Sequence, residues 1–353
     1  MARALKAAGG EMVIAGGDIH AEGRCRRAGI DHRPFSGQRA SLFQLGSTQA
    51  LLDTVHQRDL ALVHVHGCDA ALAAKSFAEA ANLPLVMTAE TLPATHGFLG
   101  RRTARKYFAG RPVIVRSDYA AACLSRDFAV PGDAIRVIRP GISMQTFDPS
   151  QVTPERTIAL ARSWGLADDP RPVVLIPQAR SDSAWLNWIM AAAHADGAPD
   201  VAWVLIGDPA PHDKRADPVA PAGQPARVRF VNECDDWPAA YKLASVVLSL
   251  PATPPLLCEH ALQAQAMGRS VITTDNGAGA EAIQPGKTGW LVRHRDPGSL
   301  SYAVAAAMER DEVIGRAMDM AARNFIASHY SETAMQSATL DLYREVLAQR
   351  APS

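Results

Sequence analysis

Short runs of β-branched and aliphatic residues alternate along this chain with longer Ala-rich stretches whose apolar positions recur at helical spacing. That pattern predicts βαβ units on parallel sheets, an α/β protein. In the first half the predicted strands are 12–16 (MVIAG), 61–67 (ALVHVHG), 84–88 (PLVMT), 112–117 (PVIVRS) and 135–141 (IRVIRPG), with a helix over 70–83 between two of them. The second half repeats the plan at 172–177, 201–208, 226–232, 244–251, 269–275 and 288–293. Between the halves, residues 140–156 carry prolines and polar residues that interrupt the periodicity, so a boundary is expected near Ser150. After Asp296 the chain reads as nearly continuous helix, with Ser331 placed to cap its last segment. The expected layout is a first domain over 1–150, a second over 151–330, and a terminal helix over 331–353.

Composition narrows the function classes. The 353 residues suffice for two domains, and 36 Lys+Arg against 36 Asp+Glu leave no basic footprint for nucleic acid. The five cysteines form no C-x-x-C pair and their odd count argues against a disulfide framework, which points to a reducing cytoplasm. No apolar run approaches the roughly 20 residues that span a bilayer, so membrane contact is expected only peripherally, at the inner face.

From residue 113 onward, particular residues carry more than periodicity. In 113–149, Ser117 ends a strand and Val137, Ile138, Gly141, Ile142, Phe147 and Pro149 follow at set spacings. The segments 234–251 and 259–292 and the pair Asp296-Pro297 continue the pattern. In order and spacing these resemble the group 1, or family 4, retaining glycosyltransferases, although Ser143 stands where that family usually has Asp. The resemblance implies a GT-B fold, two facing Rossmann-like domains with the terminal helix crossing back to the first. It implies a nucleotide-diphosphate sugar held by the second domain with no metal or other cofactor, positive side chains and helix N-termini neutralising the diphosphate. A lipid-linked or polysaccharide acceptor, as in envelope glycan assembly, is the other partner it implies; a partner glycosyltransferase is expected if the chain is instead a catalytically silent scaffold.

Several positions depart from the family pattern. Where its donor signature E-x7-E has two glutamates, this chain has Pro255 and Gln263, and Cys258 replaces a glycine. An amide oxygen still accepts hydrogen bonds from ribose hydroxyls, without charge assistance, whereas proline cannot replace a carboxylate. Glu259 lies four residues before Gln263, on one helix face with it, and is either a substitute donor contact or a carboxylate suited to a first helical turn. Of the family's Arg and Lys on the diphosphate, Arg180 is retained while Trp185 and Leu186 occupy the Lys-Gly positions. The expected donor-binding set is therefore Arg180, Glu259, Gln263, Gly207 and Asn232.

In the first domain the family's T-x-H reads Thr88-Ala89-Glu90, with His96 the nearest histidine. Glu90 is a candidate base or a loop carboxylate, and with Glu259 it completes the candidate catalytic groups. His64 and His66 alternate on a strand and share one face near its end; His66 and His96 are the expected acceptor-side residues. A metal there would need a third ligand that the sequence does not supply. The opening ARALKAAGGEMVIAGG resembles the end of the family's first helix and its second strand, so either the first βα unit is missing or the chain's start is misassigned. Two functions compete: a transferase with impaired activity, and a catalytically silent GT-B scaffold. Sugar-nucleotide epimerisation, a remoter third, would itself want the missing carboxylates.

Overall fold

The second-half strands are apolar on both faces, which a sheet covered by helices on both sides requires. The computed structural model contains that sheet. It describes residues 1–16, 19–34, 59–68, 70–93, 101, 104–179, 182–207, 227–251, 253 and 255–349. The chain divides into two units, Met1–Arg139 with Thr333–Ser353, and Pro140–Glu332.

The first unit runs α1 (Ala2–Ala7), β1 (Val13–Gly16), α2 (Ile19–Arg27), β2 (Asp31–Pro34), β3 (Val63–His66), α3 (Ala71–Ala80), β4 (Leu85–Thr88), β5 (Val113–Val115), α4 (Asp118–Phe128) and β6 (Ile135–Val137). Strands β3-β4-β5-β6 form a parallel sheet in that order. Strand β2, with the sequence DHRP, escapes sequence reading because it has no apolar run; it pairs parallel with β1, Val13 opposite Asp31. Instead of the two sheets expected there are three among the described residues, β1 and β2 pairing only with each other. Helix α4 starts at Ser117, whose hydroxyl accepts from Ala120 N at 3.1 Å, and it ends on Ala129 in the left-handed region.

The second unit runs α5 (Pro154–Ser163), β7 (Val173–Ile176), α6 (Ser183–Ala193), β8 (Ala202–Ile206), β9 (Val228–Val231), α7 (Trp237–Leu243), β10 (Val246–Ser249), α8 (Glu259–Ala266), β11 (Val271–Thr274), β12 (Gly289–Val292), α9 (Pro297–Glu309) and α10 (Glu312–His329). Its six strands are parallel in the order β12-β11-β10-β7-β8-β9. Period-two alternation splits each strand between two cores. Val174, Ile176, Trp203 and Leu205 pack with Trp185, Ile189 and Val304 of α6 and α9. Val173, Leu175 and Val204 face the opposite way, toward Tyr241, Leu262 and Ile326 of α7, α8 and α10. No helix of the described residues is long and apolar enough to cross a membrane.

The boundary lies at Arg139–Pro140, earlier than the Ser150 expected from proline content. Ile142 N donates to Tyr330 O at 2.8 Å, and a Cβ on Gly141 would sit 2.6 Å from Glu332 Cα. Those contacts stitch 140–150 to the second unit, and linker-like composition does not reveal them. The helical tail also breaks twice: Asp311 starts α10 by accepting from Ile314 N at 2.8 Å, and the chain turns again at Tyr330. The last helix, α11 (Glu332–Ala348), packs Leu342 and Val346 on Val86, Ile114 and Ile138 of the first unit's sheet. Arg136 Nη2 pairs with Glu345 Oε1 at 2.9 Å beside that contact.

Candidate functional site

In the second unit the chain leaves β7 toward β8 on one side, and the later strands β10, β11 and β12 lie on the other. The strand order therefore reverses between β7 and β10, and a parallel sheet opens a crevice for ligands beyond the carboxyl ends of such a pair. A small pocket lies there, bounded by Pro177 and Gln178 after β7, Ser249, Leu250 and Pro251 at the end of β10, and His260 of α8. Gly207, at the end of β8, has φ 145°, and a Cβ on it would fall 2.7 Å from Ala179 O. Only glycine lets these two loops close, with Ala179 N donating to Ile206 O at 2.6 Å. Gly207 thus shapes the rim through its backbone. Asn232 is exposed just past β9.

Helix α8 begins at Cys258, buried as its N-cap, with the thiol pushed up to about 11 by burial. Glu259 opens the first turn and is exposed; Gln263, one turn on, donates from Nε2 to Glu259 Oε1 at 2.8 Å. The other end of that amide accepts from Tyr241 OH at 2.9 Å, and the same hydroxyl lies 2.7 Å from His260 Nδ1. Gln263 is thereby committed to neighbours within its own unit. Burial holds His260 down to about 4 and Tyr241 well above the usual phenol range, the latter reinforced by the charge of Glu259.

The other altered positions are likewise absorbed by the fold. Pro255 packs on the Gly277 turn, with its carbonyl accepting from Ala278 N at 2.8 Å, and a Cβ on Gly277 would collide with it. Trp185 is fully buried in α6, its Nε1 donating to Leu250 O at 2.6 Å. Leu186 packs partly buried beside it. Arg180 lies outside the described residues.

The first unit gathers a second polar group at the ends of β3 and β4. His66 Nδ1 meets Glu90 Oε1 at 2.9 Å, both side chains about half exposed. The imidazole of His66 holds the Glu90 carboxyl below its ordinary value. Beneath it the His64 ring stacks at 4.4 Å, partly buried, with Nε2 2.7 Å from Thr88 Oγ1 and Nδ1 2.5 Å from Tyr343 OH. Burial first, then His66 and Arg116, push His64 down to about 3. Glu90 is thus a carboxylate with a histidine partner, not a lone loop charge; His96 lies outside the described residues. Among the described residues no three His, Cys, Asp or Glu side chains converge to hold a metal.

Sequence reasoning missed Tyr241, His260 and Tyr343. Thr88 was legible as the last residue of a strand beside His64's strand, but Tyr343 reaches His64 from 279 residues away and left no local signal.

The architecture has known relatives. Residues 1–146 match the Glycosyltransferase Family 4 model and residues 180–310 the model for Glycosyl transferases group 1. Alpha-maltose-1-phosphate synthase of Mycolicibacterium smegmatis is 24% identical over 94% of this chain and 91% of its own length. A glycosyltransferase from Rickettsia africae superposes with a TM-score of 0.83 at 19% identity, over 98% of this chain and 93% of that one. Anabaena HepE, crystallised with UDP and glucose, superposes with a TM-score of 0.76 at 16% identity, over 94% and 91% of the two chains. Two family models in consecutive register, on two Rossmann-like units of parallel sheet, agree: the chain belongs to the group 1, family 4 glycosyltransferases, and its fold is GT-B.

Proposed function

We propose that this chain binds a nucleotide-diphosphate sugar at the carboxyl ends of β7 and β10, without a metal, and transfers the sugar weakly or not at all. The observation that carries the binding half is the pocket at the reversal of strand order, beside the first turn of α8. HepE's UDP makes that nucleotide the first probe. Arg180, four residues after β7 in the sequence, would supply the cation on the diphosphate. Weak transfer is supported by three positions that family members use for polar contacts: Pro255 is locked on the Gly277 turn, Gln263 is bonded to Tyr241 and Glu259, and Trp185 is in the core. Groups that position and stabilise charge act as a unit, so several removed together leave little beyond binding.

Calorimetry with UDP, UDP-glucose and ADP tests the binding half. At least one should bind, equally well with EDTA present. Arg180→Ala should weaken the diphosphate by about 1.5–3 kcal/mol, the range for a hydrogen bond to a charged group, and leave the free nucleoside unaffected. An equal loss for both would mean that Arg180 supports the fold instead. Glucose release from UDP-glucose should stay at the protein-free level; robust turnover, abolished by Glu259→Ala, would overturn the weak-transfer reading and give Glu259 the donor role. The same three altered positions favour a second reading, a silent scaffold for an active glycosyltransferase, which becomes the better one if no nucleotide binds. In either case the setting we propose is the assembly of an envelope glycan or glycolipid at the inner membrane face, where a lipid-linked acceptor would be presented.

A further inference from the structure

The polar side chains around the start of α8 leave one another no freedom of hydrogen placement. A carboxylate only accepts, so Glu259 decides which end of the Gln263 amide faces it: Nε2 donates at 2.8 Å and Oε1 is turned away. An amide oxygen cannot donate, so the phenolic hydrogen of Tyr241 points at Gln263 Oε1, 2.9 Å off. A phenol has one hydrogen. With that hydrogen committed, the Tyr241 oxygen can only accept from His260, 2.7 Å away, and the ring proton sits on Nδ1. Nε2 then carries the lone pair. It has no hydrogen-bond partner among the described residues; His260 is one of the residues lining the pocket, with Gln178 and Ser249, and the Trp237 ring packs against its ring, centroids 4.6 Å apart.

We propose that Glu259, Gln263 and Tyr241 form a hydrogen-bond relay that fixes His260 as the Nδ1–H tautomer and presents Nε2 to the pocket as an acceptor for a sugar hydroxyl of the bound nucleotide. A neutral lone pair is the wrong partner for a phosphate oxygen, which also only accepts, so the relay selects orientation as well as chemistry: hydroxyls toward His260, phosphates away from it. Burial, which holds the ring down to about 4, keeps it neutral near pH 7. Glu259, Gln263 and Tyr241 are positioning residues in this scheme, and His260 is the group that touches the ligand. The ligand half rests on the nucleotide-binding reading above; the tautomer half does not.

The test is 15N NMR of the full chain with labelled histidine at pH 7, the His260 signals assigned by their absence from His260→Asn. The wild type should carry its proton on Nδ1. Gln263→Met removes the acceptor oxygen, frees the Tyr241 hydroxyl to donate to Nδ1, and should move the ring proton to Nε2. Gln263→Glu keeps an acceptor and should keep Nδ1–H. Tyr241→Phe, a second route, leaves Nδ1–H without an acceptor and should raise the Nε2–H population. An Nε2–H ring in the wild type, or a ring unchanged in both folded Gln263→Met and Tyr241→Phe, overturns the relay.

For the ligand half, UDP should shift the wild-type Nε2 signal, and 2′,3′-dideoxy-UDP should bind about tenfold more weakly, the loss of roughly one hydrogen bond. His260→Phe, which has no ring nitrogen to meet the hydroxyl, should bind the two alike. If UDP-glucose shifts Nε2 and UDP does not, the hydroxyl belongs to the transferred sugar rather than the ribose. UDP and UDP-glucose binding with Nε2 unmoved overturns the hydroxyl assignment. Failure of every nucleotide to bind overturns the functional reading and the hydroxyl assignment together, and the ligand-free spectrum alone then decides the relay.

Discussion

Trp185→Lys unfolds the second unit instead of restoring a phosphate cation. By family spacing the position belongs to a lysine, and the substitution reads from sequence as a repair. The side chain is fully buried among Ile189, Trp203 and Val304, and its indole N–H satisfies the Leu250 carbonyl. Truncating such a tryptophan costs about 3–5 kcal/mol, and a buried ammonium adds a desolvation penalty. Against a typical domain stability of about 5–15 kcal/mol, little is left. Urea unfolding followed by intrinsic fluorescence reads this directly, because all six tryptophans lie in the second unit. A midpoint within experimental error of wild type would remove Trp185 from the core. Restoration experiments should therefore use Pro255→Glu with Gln263→Glu and leave Trp185 alone.

Acid should destabilise the first unit through His64. Its folded value, about 3, lies below the ordinary 6.5, so the unfolded chain binds the proton first. Stability is complete above pH 6.5 and falls as pH drops toward 3, the sign expected for a base buried neutral. The loss reaches roughly 3 kcal/mol by pH 4. The charged and titratable groups facing the ring are His66, Arg116 and Glu90, with Thr88 and Tyr343 on its nitrogens. Amide exchange over 63–66 and 85–88 at pH 7 and pH 4 measures the effect within the unit that holds it. His64→Gln should flatten the pH dependence whatever it does to stability at pH 7. An unchanged slope would move the acid sensitivity elsewhere.

The candidate site was legible where spacing alone sets geometry. Four residues bring Glu259 and Gln263 onto one face of a helix, and the structure has them bonded there. Two residues bring His64 and His66 onto one face of a strand, and their rings stack. Partners drawn from elsewhere in the chain were not legible. Tyr241 reaches Gln263 from the preceding helix and Tyr343 reaches His64 from the last one, and neither has a periodic relation to what it touches. Strand β2 was missed for a different reason: backbone pairing to β1 stabilises it without an apolar run.

By itself the sequence determined the α/β class, the six strands of the second sheet and the family, because apolar periodicity and motif spacing are local properties that survive in one dimension. Tertiary structure alone decided what the altered positions do. The Gln263 amide is held by Glu259 and Tyr241, and Trp185, at the family's lysine position, fills the space between a sheet and two helices. It also decided the unit boundary, since the backbone bond from Ile142 to Tyr330 assigns the proline-rich segment to the second unit. The reason is common to all three: a side chain's role depends on which atoms meet it across the fold, and linear order does not encode those encounters.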